Sequence, residues 1–509
     1  MEVIMSAFQS LFTVEVLVAL FAGVAFGMVV GALPGFTATM GCSLLLPITV
    51  GMGTVPAMVM LVSLYTSSTY GGSMTAILLH TPGTAASAAT ADDGFAMTLQ
   101  GKGLQAIGVS TVTSCLGGLL SGIALIFISP LLAKLSLLFG PAEYFFVALF
   151  GLTIIGSLCE GGVIKGLLCA CIGLVVACVG IDPVTSCARF TYGSTALGSG
   201  FGLVPSLIGL FSISQVMIMA EMSAESTSSG IVSSTMSKLK GKILLPLSEW
   251  KQFTIPVIRS AIIGLFIGIL PGAGGDIGSW LSYNAGKQNS KHPELYGKGS
   301  MEGIACSETA NNAVCGGSLV PLLTLGVPGS ATAAVILGGL TMHGLVPGND
   351  LFTVQAGITY PIMIGFALSN FVMAVIGLAG ARYMVKVTAI PVSILAPIII
   401  VLATLGSYAV QYSMVDVWCM VCFGALGYIM RKNDMVTAPI VLALVLGPMA
   451  EKKLIQARVA ARSTPLLLYF LSRPICVIML VLIAISIAFP IYQNRKAKKT
   501  TKNAVSSEE

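Results

Sequence analysis

The chain has 509 residues and a formal net charge of +6; 55% of its residues are hydrophobic and only 9% are charged. A soluble globular protein carries roughly 25% charged residues, so this chain has too few charges to cover its surface in water. A surface that faces a bilayer must be apolar, and each helical span needs about 20 apolar residues. The composition therefore excludes an ordinary soluble protein and predicts an all-α polytopic membrane protein.

Apolar runs follow one another along the chain and predict about 11 to 14 membrane elements. The first run, near 14–33, follows a start without the basic region of a cleaved signal peptide, so we expect a retained span. Two later runs, near 70–91 and 313–346, are apolar but rich in Gly, Pro, Ser and Thr. These two runs are candidates for irregular membrane segments.

Two polar segments divide the chain. Residues 222–251 are Ser-rich and then Lys-rich, which predicts a cytoplasmic linker between a first transmembrane half, 14–221, and a second, 252–491. The tail, 492–509, is basic and then acidic. Its basic cluster places the C-terminus in the cytoplasm by the positive-inside rule. We interpret that cluster as a topology signal, not as a nucleic-acid footprint; binding to membrane lipid head groups is the less favoured alternative.

The two halves repeat three motifs in the same order. Gly27, Gly31, Leu33, Pro34 and Gly35 recur as Gly264, Gly268, Leu270, Pro271 and Gly272; Gly71-Gly72-Ser73 recurs as Gly316-Gly317-Ser318; and Pro82-Gly83 recurs as Pro328-Gly329. Chance is the alternative, because the chain contains 58 glycines. Three ordered matches that include Pro-Gly pairs favour two homologous halves.

Pro-Gly pairs inside apolar runs predict broken helices or re-entrant hairpins. Proline removes an amide donor and glycine loosens the helix. Lipid cannot satisfy the freed backbone groups, so a break must face protein or a watery cavity. Paired breaks at corresponding positions of two halves point to the binding site of a secondary transporter. The predicted hairpin tips are Pro34, Gly35, Pro271, Gly272, Pro82 and Pro328.

The lysines around the second half favour a hairpin. Lys251 precedes the run at 252–270, and Lys287 follows the Pro271-Gly272 break. A single crossing would place these lysines on opposite sides of the membrane, whereas a hairpin keeps them on one side. The N-terminus carries Glu2 and Glu15 but no lysine, which favours a periplasmic start. Opposite starts of the two halves would make the repeat inverted.

Four stretches resemble a known family of membrane proteins. They are GALPGFTATMGCSLLLP (31–47), YGGSMTAILLHTPGTAASAATADDGFAM (70–97), GILPGAGG (268–275) and SETANNAVCGGSLVPLLTLGVPGSATAAVILGGL (307–340). They are similar to the large membrane subunit of the tripartite tricarboxylate transporters, the TctA family, and the resemblance covers about 14–490. The chain departs from the commoner pattern after Asp93, where family members usually carry a more basic loop.

The resemblance implies a transmembrane subunit that takes up citrate-like tricarboxylates or dicarboxylates by cation-coupled symport in the bacterial cytoplasmic (inner) membrane. It implies two partners, a small four-span membrane subunit and a periplasmic solute-binding protein. It implies no cofactor; the coupling ion would be Na⁺ or H⁺.

A carboxylate substrate needs hydrogen-bond donors, and the paired breaks supply backbone N–H groups, hydroxyls and side-chain amides. Close helix packing is the alternative explanation for the small residues. The predicted substrate-binding residues are Ser67, Ser68, Gly71, Gly72, Ser73, Gly83 and Thr84 in the first half and Asn311, Asn312, Gly316, Gly317, Ser318, Gly329 and Ser330 in the second.

Acidic residues inside apolar segments are costly and therefore candidates for function. Asp276 follows the break at 271–275, and Glu308 precedes Asn311. Either residue could bind the coupling cation or proton, and an interfacial or packing role is the alternative. Cys419 and Cys422 form a lone CxxC pair, which does not predict a metal site.

Catalytic motifs such as HExxH, GxSxG and the P-loop are absent from the sequence, so we predict that the chain is not an enzyme. An intramembrane protease or lipid-modifying enzyme that uses Asp276 or Glu308 is the alternative from another class. A passive channel is a third possibility, which accumulation of substrate against a gradient would exclude.

Overall fold

A computed structural model describes residues 2–488 except 34, 159–162, 183–184, 223–241, 388–389 and 391. The predicted hairpin residue Pro34, most of the predicted linker 222–251 and the whole predicted tail 492–509 lie outside the described residues. The predictions on these segments stay predictions.

The first part of the chain is almost entirely helical. Its helices are α1 (Glu2–Leu11), α2 (Val14–Ala32), α3 (Ala38–Leu45), α4 (Thr54–Leu79), α5 (Ala88–Leu99), α6 (Gly103–Leu135), α7 (Pro141–Leu158), α8 (Val163–Ala177), α9 (Leu203–Leu207) and α10 (Ser214–Met222). Short 3-10 turns occur at Leu46–Gly51, Ala85–Ser87, Ser136–Leu138 and Thr195–Leu197, and a π-helical turn at Ile208–Ile213 joins α9 to α10. The strands β1 (Gly180–Ile181) and β2 (Ala188–Arg189) form a small antiparallel pair.

The second part continues the helical pattern. Its helices are α11 (Leu247–Trp250), α12 (Thr254–Ile269), α13 (Gly274–Asn289), α14 (Met301–Leu325), α15 (Ala331–Met342), α16 (Asn349–Phe352), α17 (Ala356–Gly380), α18 (Met384–Val387), α19 (Val392–Gln411), α20 (Met414–Lys432), α21 (Ala438–Ala461), α22 (Leu466–Leu471) and α23 (Pro474–Ala488). Two 3-10 turns lie at Lys251–Phe253 and Pro293–Leu295.

Seven helical stretches among the described residues are long and apolar enough to cross a membrane. They are Val14–Ala32, Gly103–Leu138, Leu203–Glu221, Ser248–Ile269, Ala356–Gly380, Ser393–Gln411 and Met414–Lys432. Five shorter apolar helices accompany them: Ala38–Gly51, Pro141–Thr153, Ile164–Ala177, Ala331–Met342 and Pro474–Ala488. The prediction of an all-α polytopic membrane protein is confirmed, since these helices dominate the described chain.

The chain divides into two compact units. Unit 1 comprises Met1–Ser136 and Val204–Tyr428, and unit 2 comprises Leu137–Leu203 and Ile429–Glu509. Unit 1 therefore takes residues from both predicted halves, so the compact units and the repeat halves are different divisions of the chain. All of the predicted site residues that the structure describes belong to unit 1.

Two helices form the centre of unit 1. Every residue of α4 from Pro56 to Leu78 and every residue of α14 from Gly303 to Thr324 is buried. Both stretches are rich in Gly, Ser and Thr, whose small side chains let neighbouring backbones approach closely. Both helices are enclosed over most of their length, so their hydroxyls and amides must find partners inside the protein.

Two helix pairs of unit 1 fold back on themselves. Ser282 in α13 donates to the Cys306 carbonyl at 3.0 Å, and Arg259 in α12 lies 3.9 Å from Cys306 Sγ. The first half of α12 and the second half of α13 thus both contact α14 at Cys306. The α2–α3 pair folds back in the same way, since a Cβ on Gly41 would lie 2.9 Å from Val30 Cγ1. The backbone therefore turns back at both places; that these turns are re-entrant hairpins within a membrane stays a prediction.

Unit 2 contains a buried ion pair. The carboxylate of Glu143 is 3% exposed and accepts hydrogen bonds from Arg473 Nη1 at 2.6 and 2.7 Å and from the Gly140 N–H at 2.8 Å. Arg189 forms a second ion pair with Glu451. Buried charges are retained where they are paired, and both pairs join segments of unit 2 that are far apart in the sequence.

Candidate functional site

Glycines bring each hairpin close to the central helix of its own half. In the first half, a Cβ on Gly27 would overlap Ser67 Oγ, and a Cβ on Gly31 would overlap the Ser68 carbonyl oxygen. In the second half, a Cβ on Gly264 would lie 2.5 Å from the Ala310 carbonyl oxygen. These glycines are packing residues, and the predicted site residues Ser67 and Ser68 face α2 at this interface.

The packing also refines the alignment of the two halves. A Cβ on Gly71 would lie 2.6 Å from the Met28 carbonyl oxygen, and one on Gly317 would lie 2.6 Å from that of Leu265. Gly71 therefore corresponds to Gly317, one residue later than the matched triplets suggest. With this shift, Gly71 and Gly317 are separated by the same interval as Pro82 and Pro328.

Each Pro-Gly loop turns back along the helix that precedes it. After α4, His80 adopts a left-handed conformation with φ of 55°, and the Gly83 N–H then donates to the Gly72 carbonyl at 3.2 Å. After α14, Gly326 is also left-handed, with φ of 71°, and the Gly329 carbonyl accepts from the Gly272 N–H at 2.9 Å. Both loops therefore pack against the hairpin turn of their own half.

The loop glycines leave no room for a side chain. A Cβ on Gly83 would overlap the Gly31 carbonyl oxygen, and one on Gly329 would overlap that of Gly268. The predicted tip residues Pro82 and Pro328 precede these two glycines. The other described tip residues, Gly35, Pro271 and Gly272, lie in the hairpin turns, and Gly35 and Gly272 have φ of 81° and 75°.

The central helices cross in opposite directions. Tyr65 OH lies 3.1 Å from Ser318 Oγ, and Thr69 Oγ1 lies 3.4 Å from Cys315 Sγ. The later residue on α4 thus contacts the earlier residue on α14, so the two helices run antiparallel. Corresponding helices that run antiparallel are what an inverted repeat requires. Inversion of the halves stays a prediction that this crossing supports.

Four helix starts gather around the crossing. Thr39 at the start of α3 contacts Thr332 at the start of α15, with 2.8 Å between their hydroxyl oxygens. A Cβ on Gly275, at the start of α13, would lie 3.0 Å from Ala86 Cβ in the turn before α5. Each hairpin therefore meets the segment after the Pro-Gly loop of the other half. Helix N-termini carry partial positive charge and attract anions.

One of these meeting places is filled by hydroxyls. Tyr65 OH lies 2.9 Å from Ser330 Oγ, in addition to its contact with Ser318. Ser330 Oγ also accepts from the Ala333 N–H at 3.1 Å, which caps α15. We call Thr39, Tyr65, Ser318, Ser330 and Thr332 the Tyr65 cluster. All of its side chains have hydrogen-bond partners within the protein.

The other meeting place surrounds Asn311. This side chain is 1% exposed, and neither its Nδ2 nor its Oδ1 has a hydrogen-bond partner. A Cβ on Gly275 would lie 2.9 Å from Asn311 Oδ1, so the amide lies beside the start of α13. That helix start has no side-chain cap. We call Gly72, Thr84, Ala86, Gly275 and Asn311 the Asn311 region; Thr84 belongs to it because a Cβ on Gly72 would lie 2.7 Å from Thr84 Oγ1.

An unpartnered buried amide is an unusual feature. Leaving a buried donor or acceptor unsatisfied costs about 1–3 kcal/mol, so such groups are rare and call for an explanation. Asn311 lies beside the N-terminus of α13, whose N-cap residue Ala273 provides no side-chain cap, so its amide can donate to an anion that the helix N-terminus also attracts. The Asn311 region is therefore the strongest candidate for a binding site in unit 1.

Glu308 lies one turn before Asn311 on α14. It is fully buried, and its carboxylate accepts from Thr90 Oγ1 at 2.5 Å, Ser114 Oγ at 2.9 Å and Ser110 Oγ at 3.1 Å. We call these four residues the Glu308 cluster. No Lys, Arg or His of the described residues forms an ion pair with this carboxylate. Ser73, another predicted site residue, is fully buried on α4, and its Oγ has no hydrogen-bond partner among the described residues.

Asp276 has a different environment. It is half-buried in the first turn of α13, and its carboxylate lies over the backbone of Gly274 in the same turn. A negative charge at a helix N-terminus is stabilising. The position fits support of the α13 start, and the role of Asp276 in cation coupling stays a prediction.

The remaining predicted site residues contact neighbouring helices. Asn312 Nδ2 donates to the Ser114 carbonyl on α6 at 3.3 Å. A Cβ on Gly316 would overlap Ser121 Oγ on α6, and Gly317 packs on Gly268. These contacts, like those of Ser67, Ser68 and Gly71, fit helix packing. The structure brings Gly72, Gly83, Thr84, Asn311, Ser318, Gly329 and Ser330 to the crossing itself.

Several residues of these clusters escaped the sequence analysis. Tyr65 stands before Asn311 at the same interval as Pro82 before Pro328, so a corrected alignment would have found it. Thr39 corresponds to Asp276 in the same way that Gly31 corresponds to Gly268. The hydroxyls of Thr90, Ser110 and Ser114 carry no sequence signal, because Ser and Thr are common throughout these helices.

Asp93 was also missed as a functional candidate. It is fully buried, and its Oδ1 accepts from the N–H groups of Gly297, Gly299 and Ser300 at 2.7–2.9 Å. Its Oδ2 accepts from Tyr283 OH at 2.8 Å. Asp93 thus ties α5 to the loop before α14. Among the described residues, groups of three or more His, Cys, Asp or Glu that could hold a metal ion do not occur.

The fold and the site define a polytopic helical membrane protein in which broken helices from two parts of the chain meet beside a buried polar region. The family model described as "Tripartite tricarboxylate transporter TctA family" matches residues 17–442. The chain belongs to this family, as its sequence motifs predict, and is a membrane subunit of the tricarboxylate transporter type.

Two relatives come from Agrobacterium vitis. The chain is 35% identical over 473 residues, which is 93% of this chain and 92% of the relative, to an uncharacterized 52.8 kDa protein in the TAR-I ttuC' 3' region. It is 32% identical over 236 residues, 46% of this chain and 97% of the relative, to an uncharacterized protein in the TAR-II ttuC' 3' region. No solved structure matches the chain.

Proposed function

We propose that this chain is the large transmembrane subunit of a binding-protein-dependent secondary transporter that takes up citrate-like tricarboxylates or dicarboxylates with cation coupling. Membership of the tripartite tricarboxylate transporter family supports the class. The observation that carries the site is the buried, unpartnered amide of Asn311 beside the start of α13.

The Asn311 region suits one carboxylate group of a substrate. Asn311 Nδ2 would donate to one oxygen, and the first-turn N–H groups of α13 would donate to the other. The residues of the Asn311 region and of the Tyr65 cluster include no Lys or Arg. Attraction of the anion would therefore come from helix N-termini, which is the pattern of transporters with broken helices.

Cation coupling is proposed for the acidic residues near this region, with Na⁺ or H⁺ as the ion. Glu308 is the stronger candidate, since it is fully buried one turn from Asn311 and lacks a cationic partner among the described residues. A bound cation or proton would offset its charge. Asp276 is the second candidate, at the start of α13.

Membership of a tripartite transporter family supports a proposal for the partners and the location. We propose that the chain works with a small four-span membrane subunit and a periplasmic solute-binding protein. Its place would be the bacterial cytoplasmic (inner) membrane, with a cytoplasmic C-terminus.

Uptake by proteoliposomes tests the proposal. The chain, the small subunit and the binding protein would be reconstituted, and the uptake of labelled citrate and succinate measured. We expect accumulation that needs the binding protein and stops when ionophores collapse the gradient. Chemical conversion of a substrate without a gradient would favour the intramembrane enzyme, and equilibration without accumulation would favour a channel.

A further inference from the structure

Glu308 and the substrate candidate Asn311 are neighbours on one helix. Residues three apart on an α-helix have Cβ atoms about 5–6 Å from each other. Both side chains are buried, so water does not screen the space between them. Any charge that enters the Asn311 region therefore acts on the Glu308 carboxylate through a medium of low dielectric constant.

The contacts of the Glu308 carboxylate are hydrogen bonds of ordinary or short length, at 2.5, 2.9 and 3.1 Å. A hard metal cation holds oxygen ligands about 2.3–2.6 Å from itself, so neighbouring ligand oxygens lie about 3.3 Å or more apart. The hydroxyls here point at the carboxylate instead of surrounding a shared centre. This geometry suits a carboxyl group that gains and loses a proton.

Among the described residues, no Lys, Arg or His forms an ion pair with Glu308. The titratable side chains on the described helices packed against α14 are Tyr65 and Tyr70 on α4, Asp92 and Asp93 on α5, Cys115 and Lys134 on α6, Arg259 on α12, Asp276, Tyr283 and Lys287 on α13, and Asp350 on α16; α14 itself carries Glu302, Cys306 and Cys315. Asp92, Lys134, Lys287 and Asp350 are exposed, and Asp276 lies in the first turn of α13. Tyr70 is hydrogen-bonded to Thr111 at 2.5 Å, and Tyr283 to Asp93. Asp93 already has four donors, and Arg259 lies beside Cys306. A charged Glu308 would therefore have hydroxyls alone to stabilise it.

We infer that Glu308 carries the coupling proton and that the charge of the substrate drives its protonation. This inference rests on the proposed function. A substrate carboxylate at Asn311 and an ionised Glu308 would repel each other, whereas one proton taken up by Glu308 makes its carboxyl neutral. Substrate and proton therefore bind together and leave together, and each raises the affinity for the other by the same factor.

The expected coupling is large enough to measure. Two unit charges about 8 Å apart, at an effective dielectric constant of about 20, disfavour each other by a factor of about 30. The affinity for a dicarboxylate should therefore fall by about 30-fold between acidic buffer, where Glu308 is protonated, and alkaline buffer, where it is not.

The backbone links the two sites as well. Thr90, which donates to Glu308, is on α5, and the turn before α5 contains Ala86 of the Asn311 region. Proton binding at Glu308 thus acts on the helix whose start borders the substrate. A change in the hydrogen bond of Thr90 would therefore affect both the Glu308 cluster and the Asn311 region.

The test uses the reconstituted transporter with labelled citrate and succinate as probes. With the wild-type chain in buffer without Na⁺, an inside-alkaline pH gradient should drive accumulation. Glu308→Gln keeps the size of the side chain and mimics its neutral form. We expect this variant to exchange substrate across the membrane at a rate independent of pH, and to lose accumulation driven by the pH gradient.

Two further variants test whether the effect is specific to the Glu308 carboxyl group. Asp92→Asn makes the same chemical change on α5 at a side chain that is 58% exposed, and accumulation should persist. Ser114→Ala removes one donor to the ionised carboxylate. It should move the pH midpoint of uptake upward by about half a unit to one unit. A purely structural role of the cluster would leave that midpoint unchanged.

The outcomes separate the inference from the proposed function. Accumulation that needs Na⁺ and ignores the pH gradient, or Glu308→Gln that still accumulates substrate, overturns proton coupling at Glu308 while leaving a carboxylate transporter. A wild-type chain that exchanges neither citrate nor succinate contradicts the proposed function instead.

Discussion

The Tyr65 cluster and the Asn311 region occupy corresponding places in the two halves, and they differ in how their polar groups are satisfied. Tyr65 reaches two serine hydroxyls of the other half, whereas Asn311 reaches no hydrogen-bond partner. The start of α3 is capped by the Thr37 side chain, whereas Ala273, at the corresponding start of α13, provides no side-chain cap. The same backbone arrangement thus forms a fully hydrogen-bonded contact at one place and, at the other, the region that we propose as the binding site.

Corresponding backbone positions in the two halves therefore need not form two equivalent binding sites. A tyrosine is long enough to fill the space between the crossing helices and to satisfy the hydroxyls there. Asparagine is shorter and leaves its donors and acceptor available. We therefore expect one principal carboxylate position, in the Asn311 region.

Changes to the shared backbone should have the largest effect. Gly83→Leu and Gly329→Leu each place a side chain against a carbonyl oxygen of the neighbouring hairpin. Shifting a positioned site by about 1 Å costs on the order of 100-fold, so both variants should lose uptake by about that factor while still inserting into the membrane. Uptake of labelled citrate and a membrane-fraction immunoblot would measure both properties.

The control for this pair is Gly357→Leu, because a Cβ at Gly357 on α17 meets open space. It should insert and transport normally. If Gly83→Leu and Gly329→Leu also transported normally, the Pro-Gly loops would not belong to the site.

Asn311→Leu should have the second-largest effect. Loss of a hydrogen bond to a charged group costs about 1.5–3 kcal/mol, so the affinity for the carboxylate should fall by about 10- to 100-fold. Removal of the unpartnered buried amide should at the same time raise the stability of the free protein by about 1–3 kcal/mol. Ligand titration and thermal unfolding in detergent would measure the two opposite effects.

Asn370→Leu provides the comparison for that variant. Asn370 is fully buried, its Oδ1 accepts from Thr66 Oγ1 and its Nδ2 donates to the Phe366 carbonyl, so its replacement leaves buried groups with one partner fewer. We expect a lower unfolding temperature in place of a higher one. A loss of stability in Asn311→Leu as well would mean that the Asn311 amide has a partner in the free protein.

Tyr65→Phe should have the smallest effect. The change removes one hydroxyl from a cluster that is satisfied within the protein, which costs about 1 kcal/mol of stability. Because this hydroxyl is not free to bind a substrate, the affinity for the carboxylate should change by less than about threefold. A loss of affinity as large as that of Asn311→Leu would show that the two halves contribute equally to the site.

The buried glutamates of the two units offer a second lesson about prediction. Glu143 and Glu308 are both enclosed, but Glu143 is held by Arg473 whereas Glu308 is held by hydroxyls alone. In sequence both are single acidic residues within apolar runs. Glu308 was singled out because it stands near Asn311 and a repeated break. Its three donors come from α5 and α6, and nothing in the sequence indicates that pairing.

The sequence alone predicts that the protein lies in a membrane, that it is helical, that it belongs to this family and that its helices break at the Pro-Gly pairs. Those properties depend on composition and on local chemistry, because proline and glycine act on their own backbone wherever they stand. It did not determine which small residues face the crossing and which pack against a neighbouring helix. A shift of one residue in aligning Gly71 with Gly317 changes that assignment, since successive residues on a helix point in different directions.

The packing of the helices shows that the Tyr65 hydroxyl has hydrogen-bond partners, that the Asn311 amide has none, and that hydroxyls surround Glu308. The partners of these groups lie on helices far away in the sequence. Whether a buried polar group is free to bind a ligand depends on the distance to those partners, and packing fixes that distance.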